Sequence, residues 1–397
     1  MLMFLALGSH PPANAFLSAE QLGQPEPSWP LNTHVCLDCG LIQVPNVIPP
    51  GFFRNYLYVP SASETMHEHF ADLARVVADR VVAKAEGLVA DIGCNDGLFL
   101  GACKALGLRT LGIDPATNLI AITRRKGIEV INEYFNALTA EQARLAHGPA
   151  RVIVTTNTFN HIDDLHDFMA GVVILLDDTG VFVVEVPHAL DLVEKNEFDT
   201  VYHEHVSEFC VKSFVDLYRF FGMEVFDIQP LPIHGGSMRI FGRRTSASTT
   251  AATPIVEDWL ASERRAALFS PETYEAFRIR VERNRGALID ILRDLKRQGK
   301  RLAGYGAPAK GNTLLNFYGI GPDLLEFLVD RSTLKQGLYS PGSHIPIVAT
   351  ERLIEDQPDY VLILAWNFAE EIIREQDQYR HRGGKFIVPI PEPAIVT

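Results

Sequence analysis

The chain has 397 residues, 47% of them apolar and 21% charged, which allows two or three domains with sizeable cores and excludes both a disulfide-stapled miniprotein and a disordered chain. Its 36 Lys and Arg against 49 Asp and Glu leave a formal charge of −13, a poor general match for nucleic acid or an anionic membrane. No apolar run approaches the roughly 18–20 residues of a membrane span. The apolar opening MLMFLALG lacks the basic flank and cleavage pattern of a secretory signal, and five unevenly spaced cysteines make no disulfide framework. A cytoplasmic protein with neither nucleic acid nor membrane as partner is the expectation.

Residues 1–60 are rich in Pro, Gly and Asn and read as a small loop-rich module, in which Cys36 and Cys39, followed by Gly40, have the spacing of a tight thiolate knuckle. From 66 to 85 the apolar Phe70, Leu73, Val77 and Val81 recur at helical spacing. Strand-sized runs follow at 88–92, 110–113, 152–155 and 181–186, with helical patterns between most of them. Residues 61–253 are therefore expected to form an α/β domain around a parallel sheet covered on both faces. Two long charged helices within 254–299 bridge to a second βα series with strands at 301–305, 325–329, 360–364 and 385–388. That series makes 254–397 a second Rossmann-like domain.

The first predicted strand runs into Asp91-Ile92-Gly93-Cys94-Asn95-Asp96-Gly97, and the next ends at Asp114, 21 residues after Gly93. Glycines at such a turn let a ligand approach the backbone, and a carboxylate ending the second strand accepts hydrogen bonds from ribose hydroxyls. A dinucleotide and S-adenosylmethionine share this layout. A pyrophosphate needs a free helix N-terminus, whereas Asp91, Asn95 and Asp96 crowd this one with acidic and polar groups that suit a sulfonium and an ammonium. The loop is read as an S-adenosylmethionine site, with Gly93 and Gly97 shaping the turn, Asp114 on the ribose and Asn157 at the same rim.

Further on lies Tyr202-His203-Glu204-His205. In extended backbone, alternate residues share a face, so His203 and His205 would project together, opposite Tyr202 and Glu204. A histidine pair invites a metal reading, but no nearby spacing supplies a third ligand. General acid–base chemistry fits better, since a carboxylate beside an imidazole sets its tautomer and basicity. His161, His234 beside Gly235, and Tyr56 with Tyr58 are further candidates for the same cleft. The second glycine-rich loop, 304–313, has Asp330 placed 24 residues after Gly306 and nominally satisfies a dinucleotide pattern. Lys310 at its helix start suits a diphosphate of any kind. A lone NAD site would leave the acidic loop and the histidines without a use, so a nucleotide-diphosphate substrate held by Lys310, Asn312 and Thr313 is preferred.

Through LALGSHPPANAF, VCLDCGLIQV, DIGCNDGLFL, FNHIDDLHDF, EFDTVYHEH, HGGSMR, YGAPAKGNTLLN, VDRSTLKQGLYSPGSHIPI, AWNFAEEI and KFIVPIP, in this order, the chain resembles the S-adenosylmethionine-dependent sugar C-methyltransferases of antibiotic deoxysugar biosynthesis. The resemblance covers nearly the whole chain. It implies an N-terminal zinc-binding module, a central methyltransferase domain, and a C-terminal Rossmann-like domain that helps bind a TDP-linked 4-keto-deoxysugar. It also implies catalytic roles for Tyr56, His161, Tyr202, Glu204 and His205. The family's zinc module resembles a four-cysteine site made of two C-x-x-C pairs, the first before LALGSHPPAN; here Cys36 and Cys39 stand alone, with His10 and His34 as substitutes if zinc is held.

The expected reaction moves a methyl group from S-adenosylmethionine to the carbon next to the sugar ketone through an enolate. His205 is expected to be the base, tuned by Glu204, with Tyr202, Tyr56 or His161 on the ketone oxygen and His203, His234 and Gly235 against the sugar. A monomer or small homo-oligomer would suffice. The rival readings are an NAD-dependent sugar-nucleotide oxidoreductase or epimerase, and an inactive sugar-nucleotide-binding protein.

Overall fold

The computed structural model describes residues 1–46, 48–57, 59–81, 87–247 and 251–397. Strands β1 (Leu2–His10), β2 (Trp29–Val35) and β3 (Ile42–Gln43) open the chain, followed by helix α1 (Glu64–Val81). A strict alternation comes next: β4 (Leu88–Ile92), α2 (Leu98–Ala105), β5 (Arg109–Ile113), α3 (Thr117–Arg125), β6 (Glu129–Ile131), α4 (Ala137–His147), β7 (Ala150–Thr156), α5 (Leu165–Leu175) and β8 (Leu176–Pro187). Then α6 (Ala189–Glu194), β9 (Ser207–Glu208), α7 (Val211–Phe220), β10 (Met223–Leu231) and β11 (Ser237–Arg244) lead to α8 (Pro254–Arg265) and α9 (Pro271–Arg297). The chain closes with β12 (Leu302–Tyr305), α10 (Ala309–Tyr318), β13 (Leu328–Val329), β14 (Ile347–Val348), β15 (Tyr360–Ile363), β16 (Lys385–Val388) and β17 (Ala394–Val396).

Three sheets result. The central one has the order β10-β11-β8-β7-β4-β5-β6, parallel from β8 to β6 and antiparallel at β10 and β11. The second has the order β14-β13-β12-β15-β16-β17, parallel except for the last strand. Both are α/β sheets of Rossmann-like layout, and their central strands are buried on both faces. In β4, Leu88, Ala90 and Ile92 pack toward Phe168 and Phe182, while Val89 packs toward Phe70, Leu73 and Val77 of α1. That two-sided burial is why the strand reads as a continuous apolar run rather than an alternation.

The opening residues depart from the expected loop-rich module. They form an antiparallel sheet β1-β2-β3-β9, and Phe4, Leu5 and Leu7 share one core with Phe277 and Leu288 of α9 and with Leu302, Leu328 and Leu362 of the second sheet. The apolar opening is thus core. The expected strand 325–329 contracts to β13, because Leu324 and Leu325 close a turn onto the Gly321 carbonyl. The helix expected over 66–85 runs from Glu64 to Val81, and residues 82–85 lie outside those described. Among the described residues no helix is long and apolar enough to cross a membrane.

Glu263 of α8, fully buried, ties this helix to the start of α7. It accepts hydrogen bonds from the backbone N–H groups of Val211 (2.5 Å) and Lys212 (3.1 Å) and lies 3.0 Å from His188 Nε2. A carboxylate there answers the orphan donors and the positive end of the helix dipole. Glu263→Ala should destabilise the protein by roughly 3–5 kcal/mol, as loss of one partner of a buried pair does. Denaturant unfolding should show a lower midpoint at unchanged slope; an unshifted midpoint would make this tie dispensable.

Candidate functional site

A cavity of about 600 Å³ lies where the carboxyl ends of the two parallel sheets meet. Gly93 directly follows β4, Asp114 follows β5 and Asn157 follows β7; Gly306 follows β12, Asp330 follows β13 and Ala365 lies just past β15, and all six line the cavity. Parallel α/β sheets bind ligands at this edge, and here two such edges share one space.

On the first edge, Gly93 has φ +80°, and a Cβ there would lie 2.2 Å from Thr158 Oγ1, so only glycine fits. Asn95 and Asn157 both have φ 50°, left-handed backbone held at the cavity rim. Asp114 accepts from the backbone N–H of Asn95 (2.8 Å) and of Ala116 (2.7 Å), which fixes the loop. Asp91 Oδ1 and Asp96 Oδ1 are buried without a hydrogen-bond partner among the described residues. Burial first, then the Asp114 and Glu185 charges, pushes the Asp91 carboxyl up. Orphaned buried acceptors call for a ligand rich in donors and positive charge. S-adenosylmethionine, with its ammonium, ribose hydroxyls and sulfonium, fits that set, and a pyrophosphate does not. Gly97 is not in the wall: it starts α2 at φ +74°, where a Cβ would meet Thr123 and Ile128.

On the second edge, Asp330 accepts from Ala307 N (2.7 Å) and Ser332 N (2.8 Å), the same loop support that Asp114 gives the first edge. Lys310, at the first turn of α10, lines the cavity with its Nζ 4.9 Å from the Trp366 ring, and Trp366 in turn donates to Asp199 (2.7 Å). Lys335 also lines it, buried, donating to the Ala307 carbonyl (2.8 Å) and standing over the Phe16 ring. Burial lowers its pKa, with the Asp330 and Glu204 charges opposing. Lys335 escapes a reading of the sequence because nothing in VDRSTLKQG marks a buried ammonium.

Asn312 and Thr313 are corrected. Both are buried outside the cavity wall, Asn312 donating to the Ala13 carbonyl (2.7 Å) and Thr313 to the Ala309 carbonyl (3.3 Å), so they anchor α10 and the segment after β1. Gly235 is not in the wall either; its carbonyl takes the Lys195 ammonium (2.6 Å). Tyr58 and the side chain of His234 lie outside what the structure describes.

The segment 202–205 is a turn, closed by His205 N on the Tyr202 carbonyl (2.9 Å), and not extended backbone. The turn reverses the expected facing. Tyr202 and His205 come together, rings 3.9 Å apart with the hydroxyl on Nε2, and both line the cavity beside His161, whose ring is 4.9 Å from that of His205. His203 points away, buried, with Nε2 3.1 Å from the Trp29 carbonyl, which removes it from the sugar contacts expected of it. Among the described residues the Glu204 carboxyl makes no hydrogen bond to the His205 ring. It accepts from the backbone (3.2 Å) and side chain (2.7 Å) of Asn14 and from the Tyr56 hydroxyl (3.4 Å). The carboxylate on His205 is Glu208, 2.9 Å from Nδ1, which sequence reasoning missed. Burial, ahead of the Lys310 charge, drives His205 well below the usual histidine range, and burial with the His205 charge does the same to His161.

Cys36 and Cys39 flank the β2–β3 turn as free thiols. His10 is buried toward His203 and pushed down to about 4, chiefly by burial. Among the described residues no three His, Cys, Asp or Glu side chains gather to hold a metal, so the residues present do not complete a tetrahedral zinc shell.

Three family models match this chain: "Putative zinc binding domain" over residues 1–53, "Methyltransferase domain" over 64–227 and "C-methyltransferase C-terminal domain" over 232–391. The C-methyltransferase NovU of Streptomyces niveus is 37% identical over 394 residues, covering 99% of this chain and 94% of that protein. An S-adenosylmethionine-dependent methyltransferase from Thermotoga maritima overlaps 45% of this chain and 92% of its own at 19% identity, with a TM-score of 0.34. The magnesium protoporphyrin IX methyltransferase of Synechocystis overlaps 45% of this chain and 83% of its own at 11% identity, with a TM-score of 0.37. On the family models and the curated relative, the chain belongs to the C-methyltransferase family. It is an S-adenosylmethionine-dependent C-methyltransferase.

Burial is the main reason the Glu204 carboxyl rises from 4.5 to about 7, its Asn14 and Tyr56 bonds opposing. The folded state therefore keeps a proton that the unfolded chain releases, and Glu204 costs stability as pH climbs from about 4.5 through 7. Glu204→Gln should leave stability near pH 4 unchanged and raise it at pH 8 by up to roughly 3 kcal/mol. Thermal melts of both proteins at the two pH values check this; an equal difference at both would contradict the buried protonated acid.

Proposed function

We propose that the chain methylates the carbon next to the ketone of a TDP-linked 4-keto-deoxysugar through an enolate, with 1–60, 61–253 and 254–397 as its three domains. The observation that carries this reading is the cavity in which the acidic first edge, the buried Tyr202 and His205 pair, and Lys310 with Lys335 all meet. S-adenosylmethionine, when bound, supplies an electrophilic methyl group. Asp91, Asn95, Asp96, Asp114 and Asn157 are the residues to hold it.

A carbon next to a ketone loses its proton because the remaining electron pair spreads onto oxygen. His205, kept neutral by burial, is the base for that proton, with Tyr202 bonded to its accepting side. Tyr56 and His161 line the same cavity and are the donors for the enolate oxygen. Glu204 orients Tyr56 through their hydrogen bond. Lys310 and Lys335 supply the positive charge that a diphosphate needs. The NAD reading has less support, since an NAD site at the second edge would leave the acidic first edge and the Tyr202 and His205 pair without a use.

The test is methyl transfer from S-adenosylmethionine to a TDP-4-keto-6-deoxysugar, run beside nicotinamide absorbance and beside solvent-deuterium exchange of the sugar proton. Turnover with NAD and no methylated product would overturn the proposal. Asp114→Ala should weaken S-adenosylmethionine binding by roughly 10–100-fold, since a charge-assisted hydrogen bond is worth about 1.5–3 kcal/mol. Lys310→Ala should weaken TDP binding and spare the methyl donor. Calorimetry reads both, and equal effects on the two ligands would contradict the split between the edges. His205→Asn should cut methylation and exchange together by about 10²–10⁴, with binding of both ligands retained.

A further inference from the structure

We propose that Glu208 is a positioning residue that holds His205 as its Nδ1–H tautomer and so makes Nε2, the atom facing Tyr202, the proton acceptor. The proposal deepens the reading of His205 as the base and rests on it.

Both ring nitrogens of His205 have partners: Glu208 Oε1 at 2.9 Å from Nδ1, and the Tyr202 hydroxyl on Nε2. A neutral imidazole carries one proton, so one nitrogen donates and the other accepts. The Tyr202 phenol has a proton to give and finds its acceptor in Nε2, which leaves the ring proton on Nδ1, where Glu208 Oε1 accepts it. The Glu208 carboxyl is buried, and its other oxygen has no hydrogen-bond partner among the described residues. A buried carboxyl engaged on one oxygen, and by this imidazole, is not a general structural tie. The backbone supports the same reading. Glu208 lies in β9, paired to Ile42 of β3, while His205 closes the turn before it, so the carboxyl and the ring are held from separate anchors.

The charged and titratable groups facing His205 agree. They are Tyr202 and Glu208 from its own segment, His161 from the loop after β7, and Lys310 from the start of α10. Burial pushes the Glu208 carboxyl up, and Lys310 pulls it back toward the carboxylate. When the Tyr202 hydroxyl turns from Nε2 toward the sugar, the freed Nε2 lone pair takes the carbon proton, the electron pair of the broken C–H bond stays on the sugar as enolate, and an imidazolium forms. The Glu208 carboxylate beside Nδ1–H is the group placed to balance that charge, as a buried carboxylate does behind other catalytic histidines.

The first measurement needs no substrate. Protein labelled with ¹⁵N in its histidines gives ring nitrogen signals by long-range proton–nitrogen correlation, with His205 assigned by its loss in His205→Asn. Nδ1 protonated and Nε2 bare is the expected state, and Nε2 protonated would overturn the proposal. In Glu208→Met, an apolar side chain of similar length, His205 should shift toward the Nε2–H tautomer. Its kcat should fall by roughly 10²–10⁴ with KM unchanged, and the acid limb of the kcat profile should move to lower pH, because the imidazolium has lost its counter-charge. An unmoved tautomer and pH profile would reduce Glu208 to packing. Should Glu208→Met not fold, Glu208→Gln decides the same point: its amide lacks the charge, so kcat must fall at constant KM. A wild-type protein that neither methylates the TDP-keto sugar nor exchanges its proton would end the functional reading, while the tautomer would still decide the role of Glu208.

Discussion

Exclusion of water from the ionisable groups around the cavity is the constraint on which the site depends. Burial is the largest cause of the shift at His161 and His205, which it lowers, and at Asp91, Asp114, Glu204 and Glu208, which it raises. The same cause thus works against the charged form of the histidines and of the carboxyls alike. Glu185 is the informative contrast. It is just as buried, yet its carboxyl sits below the ordinary range, because His69 at 2.7 Å and the Arg239 guanidinium outweigh the cost of burial. At Glu185 the fold supplies cationic partners close enough to outweigh burial.

What keeps water out is the sheet nearest the amino end. Its β1 and β2 share a core with α9 and one face of the second sheet, and its β3 pairs with β9, so the segment carrying Tyr202, Glu204, His205 and Glu208 is clamped from the side away from the central sheet. The stretch after β1 completes the closure. Ala13 is tied to Asn312 of α10, Asn14 to Glu204, and Leu17 bridges Tyr339, so a short length of chain crosses from the turn at 202–205 to the second edge. Packing at the opening of the chain therefore acts on the electrostatics of groups nearly two hundred residues later in sequence.

Much of this is legible in the order of the amino acids, and the remainder is hidden for physical reasons. Strand β4 is buried on both faces, so LVADI announces itself by composition alone, and the acidic loop after it follows from glycine and carboxylate spacing. β1 does not, because register shifts between Met3 and Leu5 and between Ala6 and Ser9 break the alternation a strand reading requires. Tyr-His-Glu-His is compatible with a strand or a turn. A strand puts the two histidines on one face, whereas in the turn Tyr202 and His205, three apart, meet. Glu208 is invisible for the same reason: it sits in a strand of two residues whose place is set by pairing with Ile42, a contact no local pattern records. Asn14 and Lys335 give no signal because their importance lies in what covers them.

Neither sheet alone makes this site. The first edge brings buried acceptors, the second brings Lys310 and Lys335, and the Tyr202 and His205 pair comes from the connection between β8 and β10. A parallel sheet offers a ligand only the loops at its carboxyl edge, so a single one would present either the acidic set or the basic set. Facing two edges across one cavity brings opposite charge preferences to one space, whose wall also holds Tyr202 and His205. β1 and β2, α9 and the second sheet share one continuous apolar core, so the second edge and the clamp over the histidine segment are packed as one. The arrangement that joins the two charge environments is therefore also the one that buries Tyr202 and His205.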